Sequence, residues 1–350
     1  MAIVFDGPIS PDALTTFVRN VPVDSRLLLT NLFPTRFVDS NRIDWAEFVK
    51  TNRTAQYRSF DGTIHVSARD AGSGKYVELA PFSDSLNKGE YERIAEEISR
   101  LGGTNRDAQV RAAYNDAERL VGTMNNRREL AWGDVLGDGK LTINEGGLQS
   151  EADYGVPADQ VTSPAGADWN DTTNAVPLTD LDAWQEIRIA NGNGRAGQMI
   201  LSRRMQGFLR RNKEVINAVY GSTAGRTSVT LQELNTLLSS EDLPTIAFTY
   251  DTQLNVEGAN TPVLEPEKVF LLPDNIADLG FFAFGVSATA LEIVRSNQAE
   301  MTFGEASGVV GVVEKVGPPY REFTFVDAVG MPILTNAGLL TIAEVIPEGS

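Results

Sequence analysis

Arg127-Arg128-Glu129-Leu130-Ala131-Trp132-Gly133-Asp134-Val135-Leu136-Gly137-Asp138-Gly139-Lys140-Leu141 closes the stretch that decides how this chain is read, which runs from Ser83 to Ile143. Upstream, apolar residues fall at helical spacing: Tyr91, Ile94, Ile98 and Leu101, then Val110, Ala113, Ala117, Leu120, Val121 and Met124. That period places one buried stripe on an α-helix. Acids and bases, among them Glu90, Glu92, Arg93, Glu96, Glu97, Arg100, Arg106 and Arg111, fill the positions between. The pattern predicts a long charged helix from Ser83 to Trp132, kinked or divided at Gly102-Gly103-Thr104-Asn105, where glycine weakens it. A stripe this narrow suits a helix laid across a thin sheet. Leu141-Thr142-Ile143 reads as a short strand after it.

On the N-terminal side, residues 1 to about 50 carry Pro8, Pro11, Pro22 and Pro34 and read as an arm rather than a domain. Asp12 to Arg19 fits a short helix capped by Ser10 or Asp12. Leu27-Leu28-Leu29 with Leu32-Phe33 is an apolar patch with no local partner; it packs either on the chain's own body or on a neighbouring subunit. Thr63 to Arg69 and Lys75 to Leu79 alternate around the turn Asp70-Ala71-Gly72-Ser73-Gly74, which predicts an extended hairpin between Arg53 and Pro81. Two strands alone are barely stable, so the hairpin needs outside support.

On the C-terminal side, residues 133 to 180 read as polar loop. Helix and strand then alternate: helix over Asp182 to Ala190, strand over Gln198 to Ser202, and helix over Arg203 to Tyr220 and Ser228 to Ser240. Strands are expected over Thr245 to Tyr250, Lys268 to Leu272 and Gly280 to Ala288. This is the texture of a compact α/β unit. Further strands over Tyr320 to Val329 and Leu339 to Ile346 are expected to return to the sheet begun near Leu141.

Composition excludes whole classes of chemistry. The chain has 350 residues, 42% of them hydrophobic, so a substantial core can form. Its net charge of −17 repels phosphate backbones and argues against sequence-specific nucleic-acid binding. With no cysteine, disulfides and thiol catalysis are ruled out. A single histidine, His65, on the polar face of its strand, leaves little basis for zinc sites or Ser-His-Asp triads. The start lacks a signal-peptide pattern, and the longest apolar run, Leu279 to Val294, is interrupted by Gly280, Gly285, Ser287, Thr289 and Glu292. The expectation is a soluble cytoplasmic chain with no membrane partner.

Three stretches resemble functional motifs. Gly192-Asn193-Gly194-Arg195-Ala196-Gly197 fits G-x-G-x-x-G, but a dinucleotide site needs a strand before the glycines and a helix after them, and here the order is reversed. Asp134, Asp138, Gly139, Thr142 and Glu145 occupy the first, fifth, sixth, ninth and twelfth places of a calcium loop; Leu136 at the third offers no oxygen, so a helix-turn-strand corner is favoured. Arg203-Arg204 and Arg210-Arg211 form a basic cluster in an acidic chain, either a solvated face with Arg210 paired to Glu214 or a contact with another copy. No residue is assigned a catalytic, cofactor-binding or metal-binding role.

The order of parts resembles a tailed-bacteriophage major capsid protein of the lambda-type capsid E family. The resemblance extends over most of the chain. It rests on Arg127-Arg128-Glu129-Leu130 leading to Gly139-Lys140-Leu141, on Val269-Phe270-Leu271-Leu272-Pro273 followed by Leu279-Gly280, and on Asp327-Ala328-Val329-Gly330-Met331-Pro332-Ile333-Leu334. It implies an α+β, Hong-Kong-97-type phage capsid fold: an arm over 1–50, an extended loop over 51–82, a peripheral domain with its spine helix over 83–177 and 320–350, and an axial domain over 178–319. It further implies a non-enzymatic virion protein, assembled in the host bacterial cytoplasm as pentamers and hexamers of itself into an icosahedral shell around double-stranded DNA that it does not read by sequence. Scaffolding, portal and decoration proteins would be its other partners. The alternatives are an encapsulin-type compartment, with Asp12 to Arg19 as its inner helix, and a calcium-binding module or enzyme built around Asp134 to Glu145.

Overall fold

The computed structural model describes residues 9–44, 76–89, 91, 94, 106–222, 225–296, 302–317 and 321–347. The expected strand over 63–69, its turn, His65 and the glycine break at 102–105 lie outside these residues. Of the expected helix, Arg106–Asp138 forms α3, 33 residues long and so about 50 Å end to end at about 1.5 Å per residue. Its stripe is buried as the spacing predicts, from Ala113, Ala117, Leu120, Val121 and Met124 to Trp132, Val135 and Leu136.

The chain is not helical where that helix is expected to begin. Pro81–Lys88 is a strand, β4, with β1 (Thr35–Phe37), β2 (Arg42–Asp44) and β3 (Tyr76–Glu78) before it. β4 pairs antiparallel along β15 (Arg321–Leu334), Phe82 opposite Ala328 and Leu86 opposite Thr324. Proline is tolerated at a strand's first residue, and Ser83, Asp84, Ser85 and Asn87 are weak helix formers. Tyr91 and Ile94, expected on the buried stripe, are 83% and 50% exposed.

β15 organises one sheet. It pairs antiparallel with β4, with β14 (Val310–Val316) and with β13 (Gly280–Phe284), and β1 adds to β13 in parallel. β13 and β15 approach so closely that a Cβ on Gly280 would run into the carbonyl of Ile333, which fixes glycine there. β2 and β3 pair antiparallel, so the residue 75–79 alternation finds its partner in the arm.

A second, five-stranded sheet has the order β7 (Val161–Thr162), β16 (Thr341–Glu344), β12 (Lys268–Leu272), β8 (Gln198–Leu201), β9 (Thr245–Thr249). Its central strands β16, β12 and β8 are buried on both sides. Ile200, Phe270, Leu272 and Ile342 join the core that holds α3. Met199, Leu201, Val269, Leu271 and Ala343 face a separate core supplied by α4 (Pro177–Ala190), α5 (Arg203–Arg211), α6 (Lys213–Tyr220) and α7 (Leu231–Ser240). Strands covered on both faces read as continuous apolar runs, as Val269 to Leu272 does.

Two further expectations change. β5 (Lys140–Glu145) pairs with β6 (Leu148–Asp153), not with the C-terminal tail. Its two-residue connection, Gly146-Gly147, holds φ of +57° and +85°, the left-handed pair a tight hairpin turn requires. The helix expected over 203–220 divides at Asn212, whose Oδ1 accepts from the N–H groups of Glu214 (2.8 Å) and Val215 (3.3 Å) and so caps α6. β13 and β14 join β15, while β16 joins β12.

Candidate functional site

Arg127, Arg128 and Glu129 occupy successive positions on α3, about 100° apart, and each meets a different part of the chain. Arg127 is partly exposed and pairs with Glu145 of the β5–β6 hairpin at 2.8 Å. Arg128 is buried; it donates to Asn125 Oδ1 (3.0 Å) and Thr35 Oγ1 (3.2 Å), and its guanidinium lies over the rings of Phe282 (4.8 Å) and Phe284 (5.2 Å). Burial lowers its pKa to about 10, opposed by the neighbouring Glu129 charge.

Glu129 is fully buried and holds the arm. The short helix α2 (Leu28–Leu32) has Leu27 at its N-cap, which offers no side-chain acceptor. Glu129 supplies what is missing: Oε1 accepts from Leu29 N–H (2.8 Å) and Oε2 from Thr30 N–H (2.6 Å). A carboxylate at a helix N-terminus satisfies orphan donors and meets the positive end of the helix dipole. Tyr250 donates its hydroxyl to the same Oε1, and burial together with that bond keeps the phenol protonated far above its usual range. Next to this, Phe33 stacks on Trp132, ring centres 3.7 Å apart and 12° from parallel. The apolar patch of the arm therefore packs on the chain's own long helix.

The arm is also tied down at its start. α1 (Pro11–Asn20) is capped by Ser10, as expected. Arg19, in its last turn, donates to the carbonyls of Val309 (2.9 Å), Glu305 (2.8 Å) and Ser307 (3.2 Å).

The remaining motifs serve structure. Asp134 and Asp138 lie inside α3; Asp134 accepts from Thr142 N–H (2.7 Å), Asp138 from Lys140 N–H (2.9 Å), and Leu136 is buried. This is a helix-turn-strand corner, and among the described residues no three His, Asp or Glu side chains gather as metal ligands. The G-x-G-x-x-G stretch sits between the end of α4 and the start of β8, with Gly192 and Gly194 at φ +75° and +69°. Glu214 does not pair with Arg210: it accepts from Leu178 N–H (2.8 Å) and Thr179 Oγ1 (2.9 Å) at the start of α4, while Arg210 donates to Val229 O (2.8 Å).

A cleft of ≈ 790 Å³ opens between α3, β4, the β5–β6 hairpin and a second hairpin, β10 (Gln253–Val256) with β11 (Ala259–Pro262). Its walls include Phe82, Leu141, Val256 and Met331. The carboxylates in it are engaged: Asp84 accepts from Thr123 Oγ1 (2.6 Å), Asp134 from Thr142, and Glu145 pairs with Arg127. No helix among the described residues is long and apolar enough to cross a membrane.

No family model matches the sequence. No curated protein matches it either. Solved structures do. A prophage protein from E. coli CFT073, proposed to be a capsid protein, superposes with a TM-score of 0.63 at 14% identity, covering 97% of this chain and 99% of its own. A phage-related protein from Bordetella bronchiseptica RB50 gives a TM-score of 0.54 at 15% identity, covering 99% of both chains. The chain has the α+β fold of Hong-Kong-97-type phage capsid proteins.

Proposed function

We propose that this chain is a structural subunit, the major capsid protein of a tailed bacteriophage of the lambda-type capsid E kind, which assembles as pentamers and hexamers into an icosahedral shell around double-stranded DNA. The observation that carries the proposal is the end-to-end match: the fold agrees over 97% of this chain and 99% of a prophage protein proposed to be a capsid protein. The arm, bound to α3 through Glu129, is held against the chain's own long helix, and in this reading it is the assembly arm. In this reading the β15 sheet with α3 is the peripheral part and the five-stranded sheet with its helices the axial part. The acidic balance, 47 acids against 30 bases, lets packed DNA lie against the wall without adhering. Scaffolding, portal and decoration proteins are the expected partners, and the virion the expected location.

Negative-stain electron microscopy of the purified chain, expressed alone and with its neighbouring genes, tests this. Rings, tubes or closed shells that fill with DNA alongside packaging proteins are expected. Closed shells that enclose a protein cargo would transfer the chain to compartment proteins. A small uniform particle under every condition would end the proposal.

A further inference from the structure

In a chain with 47 acidic and 30 basic residues, α5 is an exception. Arg203, Arg204 and Arg211 are exposed along it. The guanidinium groups of Arg204 and Arg211 each lie 5.7 Å from the ring centre of half-buried Phe208, so two cations flank one aromatic. Arg204 is engaged with Glu267 at 3.1 Å, and Arg211 gives one N–H to Gly207 O at 2.9 Å.

α4 carries the complement. Asp182 and Glu186, one turn apart, are exposed, and Ile189 on the same side is 39% exposed. The two helices occupy different places on one sheet. α4 lies at β16, where Arg188 donates to Leu339 O (2.8 Å) and Thr341 Oγ1 (3.3 Å). α5 starts beyond the ends of β8 and β9, with Arg203 N–H on Asp251 (3.1 Å) and Gln206 on Thr249 (3.0 Å). Each face thus has an apolar centre, Phe208 or Ile189, and a charged margin of opposite sign, the anatomy of a protein–protein interface.

We propose that the arginine face of α5 on one subunit binds the acidic face of α4 on a second copy of this chain. This rests on the shell-forming reading and names the surfaces it uses. Because the two faces differ and sit apart on one chain, the contact is head-to-tail, the kind that forms a ring when the rotation between copies closes. A second copy is favoured over nucleic acid because a net charge of −17 repels phosphate at range, whereas another copy presents the matching carboxylates.

The test is a charge swap in the full chain. R203E/R211E, D182K/E186K and the combined variant are compared with wild type by sedimentation velocity and electron microscopy, with circular dichroism confirming that each folds. Each reversal alone is expected to cut the assembled fraction at least about tenfold, and the combination to restore it. Wild-type assembly by R203E/R211E, or no recovery in the combined variant, would overturn this contact while leaving the shell-forming reading intact. Retained assembly with loss of binding to a fluorescent DNA duplex would reassign the face to nucleic acid. A wild type that never assembles, even with its neighbouring genes, would remove both readings.

Discussion

Among the helices that begin with a carboxylate accepting backbone N–H groups, α7 and α2 contrast in where the carboxylate comes from. α7 caps itself: Thr230 Oγ1 accepts from Glu233 N–H (3.2 Å), and Glu233 Oε2 accepts from Thr230 N–H (2.8 Å), a reciprocal box within one exposed turn. α2 is capped by Glu129, about a hundred residues away and fully buried. The first arrangement is local, wet and replaceable. The second fixes the arm to the long helix, and its loss strands buried donors that water cannot reach.

The comparison breaks most readily at Glu129. E129A leaves the N–H groups of Leu29 and Thr30 and the Tyr250 hydroxyl without their acceptor and is expected to cost about 3–5 kcal/mol. Urea unfolding would measure this, and limited proteolysis would find the arm cleaved first. A loss no larger than that of an exposed cap would refute the assignment. G133A is expected to cost about 1–3 kcal/mol. Gly133 lies on the same helix, and an added Cβ would run into the carbonyl of Val263, beside the β10–β11 hairpin. T230A should cost about 1 kcal/mol, the ordinary value of an N-cap.

The smallest effect is a pH dependence. The Thr230 backbone bond first, then hydrogen bonds from Tyr220 and the Thr230 hydroxyl, hold the Glu233 carboxyl down at about 2 against an ordinary 4.5. Its folded-state pKa is depressed, so its contribution is complete above about 4.5 and disappears as pH falls toward about 2. Wild type and E233Q should therefore differ in urea midpoint at pH 6 and converge near pH 2. A gap that persists at pH 2 would mean the cap does not depend on the charge.

The same contrast explains what the sequence made legible. Thr230-Leu231-Gln232-Glu233 and Ser10-Pro11 carry their caps within three residues, so both helices are legible in sequence, although the expected helix over Ser228 to Ser240 begins three residues later, at Leu231. The doubly buried strands β12 and β13 were visible as apolar runs. Nothing next to Glu129 in sequence signals that it is buried, because its partners are in the arm and at Tyr250. β4 was misread as the start of a helix because its partner strand lies far along the chain, and the charged residues after it continued a helical rhythm. β6 was missed because Leu148-Gln149-Ser150-Glu151-Ala152-Asp153 has no apolar alternation; Gly146-Gly147 was the usable signal.

β15 has a consequence for the life of the chain on the ribosome. β4 is finished at Lys88, but its hydrogen-bonding partner spans Arg321–Leu334. At about 5–20 residues per second, the interval between the two is on the order of ten to fifty seconds. For that time β4 presents a backbone edge without the strand that pairs with it, and nothing local can close it. Ordering of this sheet is therefore a late event in synthesis. A nascent chain stalled before residue 321 would keep its strands available to the wrong partners at the moment when many copies are being made side by side.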